Sequence, residues 1–139
     1  MSRPRRVLFL CTHNAARSQM AEGLLRQLGG DRFEVHSAGT AATAVHPLAI
    51  QALAELGIDI AHQTSKTLDR YRDTPFDLVI TLCDEASEAC PVFPAAAERR
   101  HWPFPDPSRA AGSDAERLAV FRAVRDAIRR RIEAELLTE

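Results

Sequence analysis

Cys11 and Arg17, with five residues between them, form the pair in this 139-residue sequence whose chemistry is easiest to name. A loop of that length can curl its backbone N–H groups around a tetrahedral anion. The thiol then lies beneath the anion and the guanidinium closes over two oxygens as a planar fork. Positive charge from Arg17 and from the terminus of a following helix favours the thiolate, the nucleophilic form of cysteine. Thr12, His13, Asn14, Ala15 and Ala16 supply the intervening backbone, and Ser18 is placed to hydrogen-bond the sulfur. The rival reading is a buried structural cysteine beside an unrelated surface arginine, since free cysteine is often a small core residue. The flanks favour the loop. Val7-Leu8-Phe9-Leu10, apolar without alternation, reads as a buried parallel strand, and helical spacing begins by Met20.

Positioning such a loop requires a sheet, and the chain alternates strands and helices. Met20, Ala21, Leu24, Leu25 and Leu28 keep helical spacing up to Gly29-Gly30. Phe33–Ser37 alternates as a second strand and turns at Ala38-Gly39. His46-Pro47 opens a helix whose expected buried stripe is Ile50, Leu53, Ala54 and Leu56, ending at Gly57. His36 reads as a polar strand residue, and His46 and His62 lack a partner pattern. Thr64–Asp69 reads as a short capped helical segment, and Phe76–Leu82 as a strongly apolar strand that delivers Cys83 to the sheet edge carrying Cys11. The acidic stretch between Cys83 and Cys90, followed by Pro91 and Pro94, reads as a mobile flap. Arg100–Phe104 is expected to be extended. Ser113-Asp114-Ala115-Glu116 is a capping box for a last helix buried through Leu118, Phe121, Val124, Ile128, Ile132 and Leu136. Arg129-Arg130-Arg131 fans over a wide arc and reads as a solvated face. The expected fold is a single α/β domain over 1–139, a three-layer sandwich with a mostly parallel four-stranded sheet and helices on both faces.

Eighteen basic residues balance nineteen acidic ones, so no global field recruits nucleic acid or an anionic membrane, and any preference for anions is local. The apolar run behind the basic amino terminus is too short for a secretion signal, and Thr12-His13-Asn14 interrupts it. Three cysteines, an odd number, fit a secreted disulfide framework poorly. A cytoplasmic protein whose thiols exchange disulfides is expected instead.

The run from Val7 to Gly23, Val-Leu-Phe-Leu-Cys-Thr-His-Asn-Ala-Ala-Arg-Ser-Gln-Met-Ala-Glu-Gly, resembles the low-molecular-weight tyrosine phosphatase superfamily. Within it the resemblance is to the thioredoxin-coupled arsenate reductases, along nearly the whole chain. It implies that Cys11 is the nucleophile, Arg17 the oxyanion clamp and Asp106, in Asp106-Pro107, the general acid. It further implies a relay in which a Cys11–Cys83 disulfide forms as arsenite leaves. Cys90 then attacks Cys83, and thioredoxin reduces the resulting Cys83–Cys90 bond. No cofactor is implied, and a monomer is expected. Some relatives of this type hold potassium near the loop; Asn14, Glu22 and Ser37 match three of its ligands, but Lys66 aligns with the aspartate. The Lys66 ammonium is expected to stand in the cation's place, pairing with Glu22 and donating to Asn14, so no metal is expected.

Three alternatives remain at this point. A tyrosine phosphatase would share the loop and Asp106, but it usually has aromatic residues after Asp-Pro where Ser108-Arg109 stands, and a second loop cysteine where Ala16 stands. A metal-binding module could use the three cysteines with His101, although their spacing lacks the paired short intervals of zinc sites. A reductase served by mycothiol or glutaredoxin is the third.

Overall fold

A computed structural model describes residues 3–84, 90, 91, 93 and 96–138. Four parallel strands, β1 (Arg5–Cys11), β2 (Phe33–Gly39), β3 (Phe76–Thr81) and β4 (Ala96–His101), form one sheet in the order β2-β1-β3-β4. From central β1 the chain goes to one side for β2 and returns to the other for β3. The carboxyl end of β1 is therefore a topological switch point, where open α/β sheets hold ligands.

Strand burial explains the sequence pattern. Val7, Leu8, Phe9 and Leu10 are inaccessible on both faces of β1, so no polar alternation is tolerated. Val7, Phe9, Val35, Leu78 and Ile80 pack with α1 (Arg17–Gly29), α2 (Pro47–Ala54) and α3 (Asp114–Glu135). Leu8, Leu10, Ala38 and Val79 pack with Tyr71, Phe76 and Phe93, and Leu68 adds to them. Among the described residues, one face thus carries the three α-helices and the other the 3₁₀ turn at Leu68–Tyr71.

The six apolar positions expected in α3 are all buried, and its capping box is formed: Glu116 N–H donates to Ser113 Oγ (3.1 Å) and Ser113 N–H to Glu116 Oε1 (3.1 Å). Three expectations shift. The buried stripe of α2 is Leu48, Ala49, Ala52 and Leu53; Ala54 is exposed, because α2 packs against both α1 and α3 and is turned by its cap at His46. Thr64–Thr67 is extended, since Gly39 N–H donates to Lys66 O (2.9 Å) and Thr67 bridges Gly39; the 3₁₀ turn starts only at Leu68. The last strand spans Ala96–His101, earlier than the Arg100–Phe104 stretch. It is a polar edge strand defined by pairing with β3, so it carries little apolar signal. The expected flap lies outside the described residues at 85–89. Among the described residues, no helix is long and apolar enough to cross a membrane.

Candidate active site

β1 ends at Cys11 and α1 begins at Arg17, so the loop joins a central strand to a helix N-terminus. That terminus has no side-chain cap and no acidic residue in its first turn, leaving its N–H groups to an outside anion. Cys11 is 2% exposed, with Sγ 2.8 Å from Ser18 Oγ, as the sequence suggested.

Asn14 shapes the loop from inside. Its φ of 49° lies in the left-handed region, and its fully buried amide satisfies four neighbours. Nδ2 donates to Ser18 Oγ (2.7 Å) and Ser37 Oγ (2.9 Å), and Oδ1 accepts from Gln19 Nε2 (2.9 Å) and Lys66 N–H (2.8 Å). Ser37 Oγ donates to Glu22 Oε1 at 2.5 Å. Glu22 in turn meets Arg26 (2.8 Å) and the Lys66 ammonium (3.8 Å). Lys66 therefore pairs with Glu22, but the donor to Asn14 is its backbone N–H. Nζ donates instead to Thr64 O at 2.5 Å, because the extended Thr64–Thr67 segment runs alongside the loop. Burial lowers the Lys66 pKa and Glu22 opposes that shift.

The outer wall of the loop is bound through its carbonyls. Thr12 O accepts from Thr40 Oγ1 (3.0 Å) and His13 O from Ser65 Oγ (3.1 Å). Gly39 passes so close that a Cβ there would stand 2.6 Å from Thr12 O and 2.9 Å from Asn14 N, so only glycine fits beside the loop.

Arg17, 2% exposed, donates to Phe104 O (3.1 Å) and lies 3.8 Å from Asp106 Oδ2. The other Asp106 oxygen, Oδ1, accepts from Ser108 N–H (3.0 Å) and Ser108 Oγ (2.7 Å), capping the 3₁₀ turn Pro107–Arg109. One oxygen is thus anchored and the other turned toward the arginine. Cys11, Arg17 and Asp106 share a cleft of about 380 Å³ with His13, Ala15 and Ala16. This juxtaposition suits attack by sulfur on a bound tetrahedral oxyanion with proton delivery to a departing oxygen.

Cys83 follows β3. Leu82 N–H donates to Leu10 O (2.8 Å) and Phe104 N–H to Leu82 O (3.1 Å), which extends the strand pairing and brings fully buried Cys83 to the edge beside Cys11. Cys83 is disulfide-bonded to half-buried Cys90, with Cα atoms 5.7 Å apart, and Cys11 is the free cysteine. His101, considered with all three cysteines as a metal ligand, groups with Cys83 and Cys90, their ligand atoms lying within 4.8 Å of one another.

Sequence reasoning missed several participants. His46 lines the same cleft, caps α2 by accepting from Leu48 N–H (3.1 Å) and packs at a tilt of 41° on the Phe121 ring, with ring centres 4.7 Å apart. Burial and then Arg117 lower its pKa, with Asp106 acting the other way, so it is neutral near pH 7. Its one legible signal was a place before a helix-opening proline. Gln19 and Gln63 are buried behind the loop and joined by a 2.7 Å bond, with no sequence signal beyond their amides.

Residues 6–139 match the family described as low molecular weight phosphotyrosine protein phosphatase. The arsenate reductase of Halalkalibacterium halodurans is 51% identical over 126 residues, 91% of each chain. A solved arsenate reductase in the oxidized state is 34% identical and superposes with a TM-score of 0.81, covering 96% of this chain and 98% of its own. A thioredoxin-dependent arsenate reductase from Corynebacterium glutamicum is 31% identical, with a TM-score of 0.66 over 99% of this chain and 65% of the other. Matching such proteins over nearly all its length, the chain belongs to the low molecular weight phosphotyrosine protein phosphatase family, among relatives that are arsenate reductases.

Proposed function

We propose that the protein reduces arsenate to arsenite with its own cysteines and is returned to the dithiol form by a thioredoxin-type protein. The observation that carries this reading is the Cys83–Cys90 disulfide at the strand edge next to the Cys11 loop. A phosphatase needs one thiol, because water resolves its phosphocysteine; a reductase must supply two electrons, which a second and third sulfur provide.

In this reading the loop N–H groups and Arg17 hold arsenate above Cys11. The Cys11 thiolate attacks arsenic, and Asp106, through the oxygen turned toward Arg17, protonates the oxygen that leaves as water. The Cys83 thiolate attacks Cys11 Sγ; the S–S bond forms, the S–As bond breaks, and its electron pair leaves with arsenic as arsenite. Cys90 attacks Cys83 and frees Cys11. Cys90, the less buried sulfur of the resulting disulfide, is the one an external thiol reaches. Thioredoxin is favoured as reductant by the thioredoxin-dependent relative and by the full three-cysteine set, and a reducing cytoplasm suits a protein that must recover its thiols. Asn14, Ser18, Glu22, Ser37 and Lys66 hold the loop in shape; they are positioning residues.

The test is Cys90→Ser. Given arsenate without a reductant, this variant is expected to release about one arsenite per chain and stop as a Cys11–Cys83 disulfide detectable by peptide mass. Repeated turnover by Cys90→Ser with thioredoxin would overturn the relay.

A further inference from the structure

The relay above uses Cys83 and Cys90 but provides no group to take up or return their protons. The structure places one beside them. His101 ends β4 opposite Thr81 of β3, and Thr81 Oγ1 lies 2.7 Å from His101 Nδ1. The next residue is tied down as well, Trp102 N–H donating to Thr81 O at 2.8 Å, so the ring is held by backbone pairing and by a hydroxyl together. A ring nitrogen of His101, Cys83 Sγ and Cys90 Sγ lie within 4.8 Å of one another.

We propose that His101, oriented by Thr81, carries the proton for the Cys83–Cys90 couple in both directions. The place of that couple in turnover rests on the relay above; the proton transfer concerns only the bond between the two sulfurs. On oxidation, the Cys90 thiol gives its proton to the imidazole and the thiolate attacks Cys83 Sγ of the Cys11–Cys83 disulfide. The Cys83–Cys90 bond forms and the electron pair of the broken bond leaves on Cys11 as thiolate. On reduction, one thiolate of an external dithiol attacks Cys90 Sγ, and the bond to Cys83 breaks. Its electron pair goes to Cys83 Sγ, which takes the proton from the imidazolium. The second thiol of the reductant then closes its own disulfide and releases Cys90, which takes that thiol's proton, so two electrons pass from the dithiol to the couple with one proton from that thiol and one from the imidazolium.

The surroundings suit this role. A hydroxyl both donates and accepts, so Thr81 can hold the ring neutral or protonated. Among the described residues, the charged or titratable groups that share a cleft of about 330 Å³ with Thr81 are Cys90, Arg99, Arg100 and His101. Arg100 is bonded to Glu98 (2.6 Å) with Glu135 3.7 Å away, and Arg99 donates to Phe93 O (3.1 Å). Arginine stays charged and cannot shuttle a proton; of the two basic residue types on this wall, only imidazole does so near neutral pH.

The experiment follows reduction of the Cys83–Cys90 disulfide in the oxidised full chain by dithiothreitol, without arsenate, across a range of pH, in the wild type, His101→Gln and Thr81→Val. His101→Gln is expected to slow reduction about tenfold or more and to remove one ionisation from the pH profile. Thr81→Val, which keeps the imidazole but frees the ring, should give a smaller slowing with that ionisation retained. Protection of Cys11 from alkylation by phosphate reports folding in each variant, and if His101→Gln loses it, Thr81→Val decides. A wild-type rate and profile in either variant overturns the proposal, as does an equal slowing by both variants at every pH. Because arsenate is absent, failure here leaves arsenate reduction standing, and failure of arsenate reduction leaves this result standing.

Discussion

Asp106 divides its two oxygens between the cap of a 3₁₀ turn and the cleft arginine. Oδ1 is taken by Ser108, while Oδ2 faces Arg17 across 3.8 Å. Asp106→Asn keeps the cap acceptor but removes the acid, so the leaving-group step should slow about 10²–10⁴-fold while phosphate still protects Cys11 from alkylation. Loss of phosphate protection would show Asp106 to be structural. Lys66 makes a second test at this scale. Its side chain is only 9% exposed and stands 3.8 Å from Glu22, where a bound cation would otherwise neutralise that carboxylate. Exchanging potassium for sodium at fixed ionic strength should leave arsenate reduction and thermal stability unchanged, whereas Lys66→Asp should make both depend on potassium. A potassium requirement in the unmodified protein would contradict this. The Cys11–Arg17 spacing was legible because it encodes backbone reach and charge within one loop. His46, Gln63 and Ser65 were not, because they arrive from 29 to 48 positions beyond Arg17 and only the folded chain makes them neighbours of the loop or its supports.

Among the elements, α2 and α3 are tied by one carboxylate. Glu55, just past the end of α2, accepts from Arg122 Nε and Nη2 (2.9 and 2.6 Å) and from Arg125 Nη1 (2.8 Å), and these guanidinium bonds lower its pKa to about 2. A carboxylate whose pKa is depressed by folding contributes stability above its unfolded value of about 4.5, and loses it as pH falls toward the folded value. Glu55→Gln should therefore lower Tm at neutral pH, with the gap to the wild type closing as pH falls from about 4.5 to about 2. The gap should also shrink in high salt, since Glu55 is partly exposed. A gap that is the same at pH 7 and below pH 2 would show that packing, not charge, is at stake. Long periodic elements were legible at this scale: the five apolar positions expected within α3 and Leu136 at its C-cap are all buried because 22 residues average out local exceptions. The buried stripe of eight-residue α2 and the bounds of polar β4 differed from expectation because both depend on neighbours, α1 with α3 for the one and β3 for the other.

At the scale of the molecule, one sheet edge gathers an oxyanion loop after β1, a buried cysteine after β3 and a carboxylate beyond β4. The parallel order β2-β1-β3-β4 accomplishes this, because every strand delivers its carboxyl end to the same side. In the reading proposed above, the Cys83–Cys90 bond distinguishes this edge from one built for hydrolysis alone, with sulfur handing over an electron pair and the oxidised product held as a disulfide. Fully reduced protein incubated anaerobically with arsenate, with no other reductant, tests that reading most directly when arsenite and protein thiols are measured together. One arsenite per chain and the loss of two thiols, with the Cys83–Cys90 disulfide formed, is the predicted result; arsenite formed without thiol loss, or no arsenite from a chain that hydrolyses phosphate esters, would contradict it.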